Sequence, residues 1–183
     1  MVIRVWRHPR PQQVAGRCVG QWDAPIDARK AKRLAHRIRQ QARRQGLARI
    51  VFTSPLRRSA MVGRYLRAWG WRHVVDAALS EASFGAWDGR LWSEVPRVEV
   101  DAWVGDFLDY SPGGGDSLRT LLTRAGEWQP AAELGLAPDQ PHLVVGHAGW
   151  MLARRWVVHE RRLPAGAHEW PAPPSYGHCW VLD

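Results

Sequence analysis

The sequence predicts an α/β fold, a three-layer α/β/α sandwich around a mostly parallel central sheet. Short apolar segments alternate along the 183 residues with longer amphipathic ones, which is the pattern of strand and helix units in a parallel sheet. Polar residues follow three of the apolar segments, as expected where parallel strands direct their carboxyl ends to one crevice. No repeat or linker divides the chain, so we predict one domain over residues 1–183.

The first half of the chain contains three strand patterns and two helix patterns. Asp27 can accept a backbone N–H at a helix start, Gly46 can end that helix, and Pro55 suits a first helical turn. The predicted order is a strand at 2–7, a loop at 10–26, a helix at 27–45, a strand at 49–53, a helix at 55–69 and a strand at 73–75.

The second half is less regular. The glycines at 113–115 mark a break, after which Asp116 or Ser117 can cap a helix. The predicted order is a loop at 79–89, weak helical stretches at 92–95 and 98–108, a helix reaching 128, a polar loop up to 141, a strand at 142–146, a helix at 148–159, an irregular proline-rich stretch at 164–174 and an edge strand at 178–182.

The formal net charge of +9 comes almost entirely from arginine. Arginine binds phosphate in a bidentate manner, and a basic chain attracts anionic substrates or nucleic acid. A codon bias towards arginine explains the composition equally well. Nucleic acid is a weak candidate, because no aromatic residues suited to base stacking interleave the arginine-rich helix at 29–44.

Cysteine usage and hydropathy indicate a cytoplasmic protein away from membranes. Cys18 and Cys179 form no CxxC pair, so we expect neither a zinc site nor a disulfide framework. No apolar run approaches the roughly 20 residues that cross a bilayer, and the N-terminus lacks a secretion signal. The 12 tryptophans are scattered as packing residues, and any exposed ones would suit a homodimer interface.

Four segments carry the candidate chemistry, and three of them follow predicted strands. They are Arg7-His8-Pro9, the run from Thr53 to Arg58 (Thr-Ser-Pro-Leu-Arg-Arg), residues 81–89 and residues 144–149 (Val-Val-Gly-His-Ala-Gly). In type, order and position they resemble the histidine phosphatase superfamily, also called phosphoglycerate mutase-like, over roughly residues 3–158. The resemblance implies the fold of that family and a phosphomonoesterase without a cofactor or metal.

The resemblance implies a role for five side chains. His8 is the nucleophile that carries the phosphoryl group, Arg7 and Arg57 bind the phosphate, His147 stabilises its equatorial oxygens, and Glu81 donates a proton to the leaving group. These residue types suit the reaction, because phosphoryl transfer depends on positioning and charge stabilisation. A carboxyl group beside a phosphate dianion favours its protonated form, since like charge opposes ionisation.

The loop from Gly16 to Ile26 is similar to the Gly-x-Cys-Tyr-Gly-x-x-Asp-x-Pro-Leu loop of α-ribazole phosphatase-like members, which act in cobalamin biosynthesis. That similarity implies a small substrate, α-ribazole phosphate, with backbone at Gly20 near the phosphate. Pro9 stands where the family usually has glycine, and it removes an N–H. The alternatives are therefore a broad-specificity or protein phosphohistidine phosphatase, and a catalytically silent protein that binds a phosphorylated ligand.

Overall fold

A computed structural model describes residues 1–130 and 140–182, which form five strands and five α-helices. The strands are β1 (Ile3–Arg7), β2 (Ile50–Thr53), β3 (Arg72–Val75), β4 (His142–Gly146) and β5 (Cys179–Leu182). The helices are α1 (Ala28–Arg44), α2 (Arg57–Ala68), α3 (Arg97–Gly105), α4 (Leu118–Glu127) and α5 (Ala148–His159). One sheet has the strand order β3-β2-β4-β1-β5, in which only β5 is antiparallel to its neighbour. The predicted α/β class is confirmed.

Helices cover both faces of the sheet, because the strands direct apolar side chains to both faces. One core cluster joins Val5 and Val144 to α4 and α5. The other joins Trp6 and Val145 to α1 and α2. Strands buried on both faces read as continuous apolar runs, which is why their sequences lack a polar alternation. The three predicted layers are therefore present.

Several predicted boundaries shift in the structure. Helix α2 begins at Arg57 after Leu56 as N-cap, so Pro55 precedes the helix. The stretch at 92–95 forms a single helical turn, and the next helix ends at Gly105 rather than at residue 108. The predicted edge strand at the C-terminal end is confirmed as β5. Most of the predicted polar loop before β4, residues 131–139, lies outside the described residues.

Parallel pairing places the ends of β1, β2 and β4 at one edge of the sheet. Arg7 pairs with Gly146, and Thr53 pairs with Val145, so the three strands end at nearly the same level. The backbone N–H of His8 then donates to the carbonyl of Gly146 at 3.0 Å. The residues that follow these strands are thereby brought together, as the sequence predicted.

Residues 164–178, which we call the C-terminal strap, run back to this edge before entering β5. Two backbone hydrogen bonds hold the strap beside the end of β1: the N–H of Arg7 donates to His178 at 2.9 Å, and the N–H of Gly177 donates to Arg7 at 3.0 Å. The proline-rich stretch, whose role the sequence left open, therefore packs against the nucleophile segment.

Tryptophan serves packing, as predicted. Among the 12 tryptophans only Trp92 is highly exposed, at 40%. A homodimer built on exposed tryptophans stays a prediction. Within residues 1–130 and 140–182, no helix combines the length and the hydropathy that crossing a bilayer requires.

The His73 side chain lies between β2 and α2. Its Nε2 is 2.8 Å from the Thr53 hydroxyl, and a Cβ on Gly63 would come within 2.2 Å of the same nitrogen. Gly63 is therefore required for the ring to pack here. Burial lowers the pKa of His73 to about 4, with Arg67 and Arg64 adding to the shift.

This shift predicts a loss of stability in acid. The folded-state pKa of His73 lies below the ordinary value of 6.5, so the unfolded chain binds more protons as the pH falls from about 6.5 towards 4. Because the ring is only partly buried, solvent screening weakens the effect, and we expect His73 to contribute a loss of roughly 1 kcal/mol between about pH 6.5 and 4.5. Urea unfolding of wild type and His73→Gln at several pH values measures this, and equal pH dependence in both proteins would contradict it.

Candidate active site

A pocket of about 320 Å³ opens at the edge of the sheet where β1 and β4 end. Its polar end is lined by Arg7, His8, Arg58 and Glu81. The rest of its lining is mainly aromatic, aliphatic and proline side chains from α3, α4, α5 and the C-terminal strap. This volume lies at the lower end of the range that small-molecule sites usually span.

His8 is 4% exposed and has a defined tautomer. Its Nδ1 lies 2.7 Å from the carbonyl oxygen of Pro9. A carbonyl oxygen only accepts, so Nδ1 carries the hydrogen and Nε2 carries the lone pair. Burial, together with the charges of Arg58 and Arg7, lowers the pKa of His8 well below 6.5. The imidazole is therefore neutral at physiological pH, with Nε2 available as a nucleophile.

His147 lies beside His8, with 4.9 Å between the two ring centroids. Its Nδ1 accepts from Nε of Arg58 at 3.3 Å, since a guanidinium only donates. Its Nε2 therefore carries the hydrogen and donates to the Ser54 hydroxyl at 2.6 Å. Burial, Arg58 and His8 lower the pKa of His147 well below 6.5.

Of the two adjacent arginines that begin α2, the pocket contains Arg58, whereas Arg57, the residue predicted to bind phosphate, lies outside it. Arg57 is exposed and does not line the pocket, and its backbone N–H caps α2 by donating to Asp23 at 2.7 Å. Both arginines begin α2, but a one-residue step turns a side chain by about 100° around a helix. The family's Ser-Pro-Leu-x-Arg spacing, counted from Ser54, points to residue 58 and could have found it.

Arg58 is 1% exposed and is held by neutral acceptors. Besides His147, it donates to the carbonyl oxygens of Gly20 at 2.5 Å and Trp22 at 2.8 Å. Among the described residues, no carboxylate lies within 4.0 Å of the guanidinium of Arg58 or of Arg7. The polar end of the pocket thus contains two cations without a salt bridge.

Gly20 lines the pocket in a conformation that only glycine fits. Its φ is +40°, and a Cβ there would come within 1.8 Å of an Asp88 carboxylate oxygen. That oxygen accepts from the backbone N–H groups of Gln21 and Phe84, each at 3.2 Å, and joins the two loops that line the site. The carbonyl of Gly20 binds Arg58, while a backbone contact with phosphate stays a prediction.

Glu81 reaches the pocket at the N-terminus of α5. Its carboxylate accepts from the backbone N–H of Gly149 at 3.0 Å and from that of Ala82 at 3.1 Å. Its own carbonyl accepts from the Gln21 side chain at 2.9 Å. A Cβ on Gly149 would lie 2.3 Å from Glu81 Oε1, so glycine is needed there for the carboxylate to occupy this position.

Arg7 is held by the C-terminal strap. Its Nη1 donates to the carbonyl of Pro174 at 2.5 Å, and its guanidinium lies over the Tyr176 ring at 3.8 Å from the centroid. The same ring is 5.5 Å from that of His8. Nε of Arg7 is buried and has no acceptor. Sequence reasoning missed Tyr176, because only the pairing of β5 with β1 brings it here.

Four of the five predicted catalytic residues meet at this pocket. His8, Arg7 and Glu81 line it, and His147 lies directly behind His8, whereas Arg57 does not take part. Within the part of the chain that the structure describes, no group of three or more His, Cys, Asp or Glu side chains is placed to hold a metal ion.

The model of the histidine phosphatase superfamily (branch 1) matches residues 3–167. The chain belongs to this family. It is accordingly a phosphoric monoester hydrolase. Among proteins with curated descriptions, none matches the sequence significantly.

Solved structures of similar fold include three bacterial proteins. YhfR of Bacillus stearothermophilus has a TM-score of 0.77 and 20% identity, covering 100% of this chain and 90% of its own. A mycobacterial glucosyl-3-phosphoglycerate phosphatase has a TM-score of 0.71 and 22% identity, covering 98% and 88%. TTHB049 of Thermus thermophilus has a TM-score of 0.67 and 23% identity, covering 100% and 93%. At these identities the likeness shows the fold.

The adjacent arginines provide a matched pair of variants. We expect Arg58→Ala to lower kcat/KM for an aryl phosphate by about 10²- to 10³-fold, the usual loss when one preorganised charge donor is removed. Arg57→Ala, which changes only an exposed side chain, should stay within about threefold of wild type. Steady-state kinetics measure both, with thermal unfolding as a check that each variant folds. Equal losses of kcat/KM in the two variants would contradict the placement of Arg58 in the pocket and of Arg57 outside it.

Gly149→Ala tests the placement of Glu81 without changing any polar group. The new Cβ would displace the carboxylate, and a displacement of about 1 Å can reduce a rate by about 10²-fold. Gly105→Ala is the control, because a Cβ at that position meets nothing within 4 Å. If kcat for phosphate release is the same in both variants, the position of the Glu81 carboxylate does not matter.

Proposed function

We propose that this protein hydrolyses small phosphomonoesters through a phosphohistidine at His8, in a site formed by Arg7, Arg58, His147 and Glu81. The observation that carries the proposal is the meeting of two neutral imidazoles with two guanidiniums that form no salt bridge to any carboxylate in residues 1–130 and 140–182. A tetrahedral dianion supplies the charge and the acceptors that such a site lacks.

In the first step, Nε2 of His8 attacks phosphorus in line with the ester bond. The new N–P bond forms as the ester P–O bond breaks, and Glu81 gives its proton to the departing alkoxide oxygen. The bond from Nδ1 to Pro9 keeps the ring in the tautomer that attack requires. Pro9 therefore supports the nucleophile through its carbonyl, although it has no N–H to offer.

In the second step, water replaces the histidine. Glu81, now a carboxylate, takes a proton from the water as its oxygen attacks phosphorus and the N–P bond breaks. Arg7 and Arg58 bind the equatorial oxygens throughout and stabilise their charge. His147 joins them as a donor when Nε of Arg58 turns from Nδ1 of His147 to the phosphate and Nδ1 takes up a proton, which the phosphate dianion favours.

α-Ribazole phosphate is the specific substrate that the loop from Gly16 to Ile26 favours, which would place the enzyme in cobalamin biosynthesis. In support, that loop contributes directly to the site, since its carbonyl oxygens hold Arg58 and the side chain of Gln21 holds Glu81. The two cysteines are free thiols, in keeping with the reducing cytoplasm, where we propose that the protein acts.

His8→Ala tests the nucleophile directly. Removing Nε2 removes the atom that forms the bond to phosphorus, so release of phosphate from an aryl phosphate should fall below about 10⁻³ of the wild-type rate. Quenching wild type with ³²P-labelled substrate should give a label on His8 that is stable in base and lost in acid.

His36→Ala is the matched control, because His36 is an exposed histidine on α1, outside the pocket. Its activity should equal that of wild type. Wild-type turnover also separates an enzyme from a silent phospho-ligand-binding protein. Full activity of His8→Ala would disprove the phosphohistidine route.

A further inference from the structure

The apolar part of the pocket takes no part in the phosphate chemistry and is built from three separate chain segments. Phe84 follows the Glu81 loop, Trp103 and Phe107 come from α3 and its end, and Trp170 comes from the C-terminal strap. Neighbouring ring centroids are 5.6 Å apart for Phe84–Trp103, 5.8 Å for Trp103–Phe107 and 6.2 Å for Phe107–Trp170. We call this continuous row the aromatic wall.

Aliphatic side chains complete the lining. Leu118 and Leu121 come from α4, and Leu152 comes from α5. A planar group that enters the pocket beyond the phosphate would meet rings on one side and branched aliphatic chains on the other. Offset or edge-on ring contacts add to the gain from burial alone.

The polar side chains beside the aromatic wall are already engaged. Asp116 accepts from the Arg124 guanidinium at 2.8 Å and from the backbone N–H of Ser83 at 3.0 Å. Ser117 caps α4 by accepting from the backbone N–H of Thr120 at 3.2 Å. One oxygen of Asp116 and the Ser117 hydroxyl are therefore already engaged, which reduces the hydrogen-bonding groups that this part of the pocket offers to a bound polyol.

These contacts discriminate between leaving groups. A polyhydroxylated group would lose water without gaining equivalent hydrogen bonds, which is unfavourable. A carboxylated group would place its charge beside rings, since the described arginines that line the pocket, Arg7 and Arg58, lie at the phosphate end. An apolar planar group incurs neither cost.

We propose that the leaving group of the natural substrate is planar and apolar, so that the enzyme prefers aryl or arylalkyl phosphomonoesters over polyhydroxylated or carboxylated ones. This preference rests on the proposed phosphomonoesterase function and adds a substrate class to it. It matches the planar benzimidazole at the far end of α-ribazole phosphate but not the hydroxylated ribose beside the phosphate, and it does not require that compound.

The test compares primary alkyl phosphates, whose leaving alcohols have similar reactivity. We expect kcat/KM for 2-phenylethyl phosphate to exceed that for glycerol 3-phosphate and for 3-phosphoglycerate by about 10- to 100-fold, as burial of one ring predicts. Equal values, or a preference for either polar ester, would overturn the proposal.

Phe107→Ala locates the effect in the aromatic wall. Loss of this ring should reduce the ratio of kcat/KM between 2-phenylethyl phosphate and glycerol 3-phosphate by about fivefold or more. Val104→Ala is the control, because Val104 is 54% exposed on α3 and does not line the pocket. If Phe107→Ala leaves this ratio at the wild-type value, the aromatic wall does not determine the substrate preference.

Phosphonate binding tests the aromatic wall independently of catalysis. Calorimetry with 2-phenylethylphosphonate and methylphosphonate requires no turnover, and the phenyl compound should bind at least about tenfold more tightly. If no ester is hydrolysed and His8 is never labelled, the proposed function is wrong. The two phosphonate affinities still show whether the aromatic wall binds a ring. If hydrolysis occurs but the two phosphonates bind equally, only the substrate class is wrong.

Discussion

Two guanidiniums at the end of a parallel sheet, neither of which forms a salt bridge with a described carboxylate, are the constraint on which the rest of the site depends. Burying a cation without an opposite charge is unfavourable, and folded proteins usually pair such groups. Arg58 is instead surrounded by two carbonyl oxygens and an imidazole nitrogen. Burial, together with the charges of the arginines, lowers the pKa of His8 and of His147 well below 6.5, so both imidazoles are neutral. The arginines therefore contribute to the neutral state of the histidines as well as to the positive charge of the pocket.

That arrangement is maintained by segments far apart in the sequence. The loop around Gly20 holds Arg58, the N-terminus of α5 holds the Glu81 carboxylate, and the C-terminal strap holds Arg7. Positive φ or close contact makes glycine necessary at Gly20 and at Gly149. The sheet alone supplies the two histidines, whereas the acid and both cations depend on loops packed against it. The proposed substrate preference rests on the same periphery, because the Glu81 loop, α3 and the C-terminal strap supply the aromatic wall.

Much of the fold and part of the site could be predicted from the sequence. Apolar strands ending at His8, Ser54 and His147 imply a shared edge, because parallel strands direct their carboxyl ends the same way. Two adjacent arginines begin α2, and the prediction took Arg57, although the motif spacing from Ser54 points to Arg58, which packing turns inward. Tyr176 was not predictable, because its contact with Arg7 depends on the antiparallel pairing of β5. The four aromatic residues of the wall, which lie between residues 84 and 170, likewise gave no sign that they line one pocket.

A crystal structure with orthovanadate, a mimic of phosphate in transfer, tests the central claim most directly. The account predicts one vanadate at the polar end of the pocket, bonded in line to Nε2 of His8 and contacted by Arg7, Arg58 and His147. A vanadate bound elsewhere, or bound here without His8 and Arg58, would contradict it.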